Sequence, residues 1–245
     1  PSDHLVKYND VFVDTLSSAC EIAEKGSNLV TIGITPNYPE TGYGYIKYNE
    51  EKPEGKSFTV DSFVEKPDLD TAKKYLESGN YLWNSGMFIW RASTILRAFD
   101  ALLPDVAACL HEIGEAMGTE AEAETIARVY PTIPSISIDY GIMEKSADVL
   151  VISAEFGWND VGSWDNLGVL YDEDKNGNVV AADHIGIDTT NSIIYGKKRL
   201  ITTIGVDNLI VVETDDAILV CDKNRAQDVK KIVDELKERG ETQYL

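Results

Sequence analysis

Histidine and cysteine are scarce in this 245-residue chain, at three each. Cys20, Cys109 and Cys221 have neither pair spacing nor metal-binding spacing, and each sits in an apolar-patterned segment. That argues against a disulfide framework or a zinc site and predicts reduced, buried thiols in a cytoplasmic protein. The histidines suggest no catalytic set: His4 adjoins Asp3, where it can support a neighbouring carboxylate, His111 lies in a helical pattern, and His184 lies in a linker region. No serine or cysteine nucleophile arrangement appears, so covalent and general acid–base chemistry have little support. Basic residues are outnumbered, 22 Lys and Arg against 42 Asp and Glu, for a formal charge of −20 and a pI near 4.4. Such a chain is not expected to wrap nucleic acid or dock on anionic lipid. An anionic small substrate stays open, because a bound Mg²⁺ reverses the local sign. No apolar run approaches the ~18 residues of a membrane span. No signal-peptide pattern is visible, and no G-x-x-x-x-G-K-[ST] phosphate loop is present.

What is present is a 43% hydrophobic chain, enough for a packed core. Phe12, Leu16, Ala19, Cys20 and Ala23 fall at helical spacing, with Gly26 as a stop. Leu29 to Ile34 reads as a buried strand. A glycine-hinged loop from Thr41 leads into a strand ending near Tyr48, and residues 52–56 read as a polar turn. Phe58 to Glu65 reads as a strand stopped by Pro67, and Asp68 caps a helix running to Ser78. Asn84-Ser85-Gly86 reads as a turn before a strand at Met87 to Trp90. Three helices are expected between Ser93 and Tyr130, a strand-and-turn at Ile136 to Ile142, and a strand at Val149 to Ser153. A short helix is expected at Trp164 to Tyr171. Beyond a polar linker, short β runs follow at Ser192–Tyr195, Leu200–Ile204, Leu209–Glu213 and Ala217–Asp222. Their spacing suggests a small sheet or a few coils of a β-solenoid. Asn224 and Gln227 resemble a capping box for a last helix ended by Gly240. The expected domains are 1–172 and 173–245.

Phe156-Gly157-Trp158-Asn159-Asp160-Val161-Gly162-Ser163-Trp164 organises the chain. It sets one carboxylate, Asp160, among glycines and two tryptophans, a placement suited to holding a hard cation against a phosphate. The plainer reading is a turn whose tryptophans belong to the core. Glu65-Lys66-Pro67 puts an acid and a base at a strand end, where the carboxylate can accept from sugar hydroxyls and the ammonium can meet a phosphate. A solvated surface ion pair is the alternative. Asn84, and Asp139 with Tyr140, Gly141 and Glu144, are polar groups at turns that line a ligand or merely cap an element. Positioned carboxylates and a lysine favour metal-assisted phosphoryl chemistry over the alternatives.

Six stretches together resemble the sugar nucleotidyltransferases, most closely the mannose-1-phosphate guanylyltransferases. They are Pro1-Ser2-Asp3-His4, Gly42 to Ile46, Phe63 to Pro67, Trp83 to Phe88, Ser137 to Lys145, and Gly157 to Trp164. The resemblance implies an α/β fold: a partial doubly wound, Rossmann-like nucleotidyltransferase domain followed by a small β-helix-like domain with a closing helix. It implies that Asp3 and Asp160 bind Mg²⁺, and that Glu65 accepts from mannose hydroxyls. It further implies that Lys66 meets the sugar phosphate, Gly44 is the close-approach glycine beside the sugar, and Asn84 is a further contact. The implied catalytic set is Asp3, Asp160 and Lys66. Gly44, Glu65, Lys66, Asn84 and Asp139 are the implied substrate contacts. The implied substrates are mannose 1-phosphate and GTP, with GDP-mannose and pyrophosphate as products, and the β-rich tail is implied to dimerise. The family's nucleotide loop, a Gly-rich stretch with an Arg and then a Lys, does not precede Asp3. The expectation is therefore a chain begun in mid-domain or shortened, inactive alone, with the base it reads left open. Another sugar-1-phosphate nucleotidyltransferase, or a noncatalytic sugar-phosphate binding module, are the alternatives.

Overall fold

The computed structural model describes residues 1–54 and 56–244. By contact it forms two compact units, one of residues 1–2 and 6–158, the other of residues 3–5 and those from Asn159 onward.

In the first unit, α1 (Asn9–Lys25) buries Ala19 and Ala23 and ends at Gly26. Cys20 is exposed, not buried, because it lies one residue, about 100°, off that buried stripe. Cys109 and Cys221 are half-buried. Strand β1 (Leu29–Ile34) is buried at every residue, as its unbroken apolar run requires. With β2 (Tyr45–Glu54), β3 (Ser57–Val64), β4 (Tyr81–Ile89) and β5 (Val149–Ala154) it closes in the order β1-β4-β2-β3-β5. β1 and β5 form a parallel pair, Leu29 opposite Val149 through Ile34 opposite Ala154. The other pairings are antiparallel. One core gathers Ile32, Tyr45, Trp83 and Phe156, with Phe12 and Leu16 of α1 packed on it. A second gathers Leu29, Ile46, Phe63, Leu82, Ile142 and Met143, under Ile95 and Phe99 of α3 (Ala92–Leu102). Each such large apolar side chain contributes about 1.5–3 kcal/mol on burial. Helix α2 (Leu69–Ser78) starts where Asp68 accepts from the Thr71 amide at 2.8 Å and stops at Gly79, φ 74°. α4 (Pro104–Ala116), with Pro104 in its first turn, and α5 (Glu122–Val129) complete the helical segment.

Three local expectations are corrected here. β2 does not end near Tyr48 but runs to Glu54; of the turn expected at 52–56, Gly55 lies outside the described residues. Asn84-Ser85-Gly86 is not a turn between elements but lies inside β4, as a bulge. Thr31 pairs with Phe88 and Gly33 with Asn84, so residues 85–87 face Ile32 alone. Gly86 takes φ 71°, and Ser85 Oγ donates to the Ile32 carbonyl at 2.7 Å. The sequence has turn chemistry, but pairing with β1 holds it in the sheet. Ile136 to Ile142 holds no strand; Asp139–Met143 is one wide π-helical turn, anchored by fully buried Ile142 and Met143.

In the second unit, β6 (Val179–Ala181), β8 (Ile193–Tyr195) and β10 (Leu209–Glu213) run parallel, with β11 (Ile218–Asp222) antiparallel on β10. β7 (His184–Ile187) and β9 (Ile201–Ile204) form a second parallel pair. Val179, Ile193 and Ile210 align through these registers into a buried ladder, the signature of a β-helix-like stack. His184 is thus in a strand, not a linker, and its Nε2 lies 2.8 Å from the Thr203 hydroxyl. The last helix, α6 (Val229–Glu238), follows a 3₁₀ segment, Lys223–Asp228. Asp222, not Asn224, caps that segment, accepting from the Asn224 amide at 2.8 Å. No described helix is long and apolar enough to cross a membrane.

Candidate functional site

The first unit brings together Gly44, Glu65, Lys66, Asn84 and Asp139. Pro67 keeps β3 from continuing, and Lys66 before it takes φ 47°, a left-handed backbone that costs a non-glycine residue about 1–2 kcal/mol and that a following proline does not favour. At that kink Lys66 stands exposed, while the Glu65 side chain is only 11% exposed. Their charged atoms are 3.7 Å apart. Glu65 Oε2 is buried with no hydrogen-bond partner. It lies against Gly44, where an added Cβ would stand 2.4 Å from it. Gly44 therefore makes room for the carboxylate itself. Its carbonyl also accepts from the Asn84 amide at 2.8 Å, tying the Glu65 pocket to the β4 bulge. Asn84 is buried and fixed on both ends. Its Nδ2 donates to Asp139 Oδ1 at 3.1 Å, and its Oδ1 accepts from the Gly86 amide at 3.2 Å and the Thr31 hydroxyl at 3.4 Å. Burial pushes the Glu65 carboxyl above the usual carboxylate range; the charge of Asp139 and, less, that of Glu144 add to the rise, against Lys66. A buried acceptor without a donor, beside a fixed amide and a second carboxylate, suits a ligand rich in hydroxyls.

The sequence grouped Glu144 with Asp139 as lining a ligand or capping an element; its Oε1 accepts from the Glu65 amide at 3.1 Å. Thr31 was missed, being one residue of an apolar strand with no motif around it. Trp83 is buried between Tyr38 and Tyr43, ring centroids at 4.9 and 5.3 Å, so it is core. Trp158 is likewise buried, 5.1 Å from the Tyr43 ring, as the plainer reading had it.

In the second unit, Leu5 and Asn159 exchange backbone hydrogen bonds of 2.8 and 3.1 Å. This bridge carries Asp3 and His4 alongside Asp160. Both carboxylates act on His4, whose pKa burial lowers while Asp160 and Asp3 oppose the drop. Two successive side-chain turns shape the loop: Asn159 Oδ1 accepts from the Val161 amide at 2.7 Å, and Asp160 Oδ1 from the Gly162 amide at 2.9 Å. They hold Val161 at φ 50°, a strained value for a β-branched residue. A Cβ at Gly162 would meet Asp160 Oδ2 at 2.6 Å. Glu65 and Asp160 therefore each rest against a glycine where a methyl group would displace the carboxylate. Trp164 packs on Tyr195, centroids 5.4 Å apart.

Among the described residues no group of three or more His, Cys, Asp or Glu gathers as a metal cage. Asp3 and Asp160, the two carboxylates beside His4, are the residues that could share a divalent cation whose shell is completed by water and phosphate.

Residues 1–176 match the family described as nucleotidyl transferase, and residues 182–236 match the MannoseP isomerase/GMP-like beta-helix domain. The chain belongs to the nucleotidyl transferase family. Among its relatives, the xanthan biosynthesis protein XanB of Xanthomonas campestris pv. campestris (strain B100) is 43% identical over 245 residues, 99% of this chain and 51% of that protein. The mannose-1-phosphate guanylyltransferase of Escherichia coli (strain K12) is 39% identical over 247 residues, 99% of this chain and 52% of that protein. The crystal structure of mannose-1-phosphate geranyltransferase from Thermus thermophilus superposes with a TM-score of 0.82 at 35% identity, over 97% of this chain and 68% of that one. The chain spans about half the length of the curated relatives it matches.

Proposed function

We propose that this chain carries the sugar-phosphate and metal-binding residues of a mannose-1-phosphate guanylyltransferase, which transfers GMP from GTP to mannose 1-phosphate, giving GDP-mannose and pyrophosphate. One observation carries the reading: the partnerless buried Oε2 of Glu65, held against Gly44 beside the fixed Asn84–Asp139 pair. Glu65, Asn84 and Asp139 take the sugar hydroxyls, and Lys66, exposed with its ammonium 3.7 Å from Glu65 Oε1, takes the sugar phosphate as a point charge. Asp3 and Asp160 are the residues that would hold Mg²⁺; bound there, the ion supplies neutralisation of phosphate charge. The choice of mannose and guanine rests on relatives that bear that name at about 40% identity.

We place the domain boundary at residues 172/173, close to the gap between the family matches at 176 and 182, while by contact the second compact unit already begins at Asn159. We infer a homodimer through the second unit. Ile185, Ile187 and Ile204 stand exposed on β7 and β9, with Ile187 paired to Ile204, an apolar face that a second copy can cover. Free cysteines fit the reducing cytoplasm. The test is pyrophosphate release by the full-length protein. Release from GTP should require both Mg²⁺ and mannose 1-phosphate. Equal release with glucose 1-phosphate in place of mannose 1-phosphate would overturn the sugar assignment.

A further inference from the structure

Asp139 and Glu144 are five residues apart. In an α-helix that spacing would turn them about 140° from one another. Here the Glu144 amide bonds to the Asp139 carbonyl at 3.0 Å, the i to i+5 bond of a π-turn, and this stacks the two residues on one side. Both contacts then point at the same place. Asp139 Oδ1 holds the Asn84 amide group of β4, and Glu144 Oε1 holds the backbone amide of Glu65 at the end of β3. Ile142 and Met143, 0% and 1% exposed, fix the turn to the core, so it cannot drift from the two strands it joins.

We propose that Glu144 is a positioning residue of the sugar-phosphate site, pinning the Glu65–Lys66 backbone so that the carboxylate lies under Gly44 while the lysine faces outward. The inference rests on the sugar-phosphate reading for its ligand, but not for its geometry. Without that hydrogen bond, a left-handed Lys66 has little to hold it, since the residue before a proline favours extended backbone. Glu144 also belongs to the charge set around the Glu65 carboxyl, with Asp139 and Lys66.

Two variants separate the parts of this role. Glu144→Gln keeps an acceptor for the Glu65 amide and removes the charge; Glu144→Ala removes both. NMR on the 245-residue chain reads the geometry without any ligand. In Glu144→Ala the Glu65 amide proton should move upfield and exchange faster with solvent, while in Glu144→Gln it should stay protected. The Glu65 carboxyl titration should move to lower pH in both. Calorimetric titration with mannose 1-phosphate then reads the consequence: about tenfold weaker binding in Glu144→Ala, as for a lost charge-assisted hydrogen bond, and within about threefold of wild type in Glu144→Gln. An unchanged Glu65 amide in Glu144→Ala, or equal weakening in both variants, overturns the positioning role. Amide changes as expected, with no binding of mannose 1-phosphate by wild type, support the pinning of Glu65 and overturn the sugar-phosphate reading instead.

Discussion

Gly44→Ala tests the site at its tightest point. Gly44 does not occupy the left-handed region, so its backbone accepts alanine and the whole effect comes from the methyl group. That Cβ would stand 2.4 Å from Glu65 Oε2, 3.3 Å from Asn84 Cβ and 3.4 Å from Phe63 Cε1. Ordinary carbon–oxygen contact is about 3.3 Å or more, so the carboxylate must retreat by about 1 Å. It has poor places to go: Phe63 and Asn84 are buried beside it, and Asp139 and Glu144 repel it. A 1 Å misplacement of a binding group costs up to ~100-fold, and loss of one charge-assisted hydrogen bond costs about 1.5–3 kcal/mol, or at least tenfold. Affinity for mannose 1-phosphate, measured by calorimetry, should therefore fall between ten- and a hundredfold. The fold should suffer less, because the methyl meets a side-chain tip and not backbone. About 1 kcal/mol, the low end for overpacking, corresponds to a melting temperature lower by roughly 2–4 °C. In a Glu65→Ala background the methyl has no carboxylate to strike, and Gly44→Ala should change affinity by less than about twofold. Binding within twofold of wild type for the single variant would refute the placement of Glu65 as a ligand group.

Asp160→Asn in the full-length protein should lower Mg²⁺-dependent turnover about 100-fold or more with the circular dichroism spectrum unchanged, since the Gly162 amide keeps its acceptor; near-normal turnover would remove Asp160 from the metal role. Lys66→Gln should raise the KM for mannose 1-phosphate about tenfold and leave that for GTP within twofold, whereas a mere surface pair would change both by little. The raised carboxyl pKa of Glu65 has a sign for stability: the folded chain holds that proton at pH values where the unfolded chain has lost it, so stability falls as pH rises from the ordinary glutamate range through the folded value. Glu65→Gln should therefore melt higher than wild type at pH 7 and lose that advantage below pH ~4, the unfolded value, while binding mannose 1-phosphate more weakly; a lower melting temperature at pH 7 would show that the carboxylate is satisfied in the fold.

The sequence alone determined the elements whose signals are local. The short, unbroken Leu29–Ile34 run reads as a buried strand, Asp68 and Gly79 bracket α2, and the short β runs after residue 190 suggest a small sheet or a few solenoid coils. It also singled out Glu65, Lys66, Asn84, Asp139, Asp3 and Asp160, because acids, amides and glycines packed into short motifs are visible without a fold. Tertiary structure decided what those residues face. Asn84-Ser85-Gly86 carries the same chemistry as a turn, and only pairing with β1 across Thr31 and Gly33 makes it a bulge that aims Asn84 at Asp139. The π-turn at Asp139–Met143 has no local code, since its wide hydrogen bond is held open by Ile142 and Met143 packing into the core. Gly44 and Glu65 are 21 positions apart, and that a methyl at one would strike the other follows from β2 pairing with β3, Tyr45 opposite Val64. Contacts between distant segments cost chain entropy that local sequence cannot report, so the motifs were legible and their juxtaposition was not.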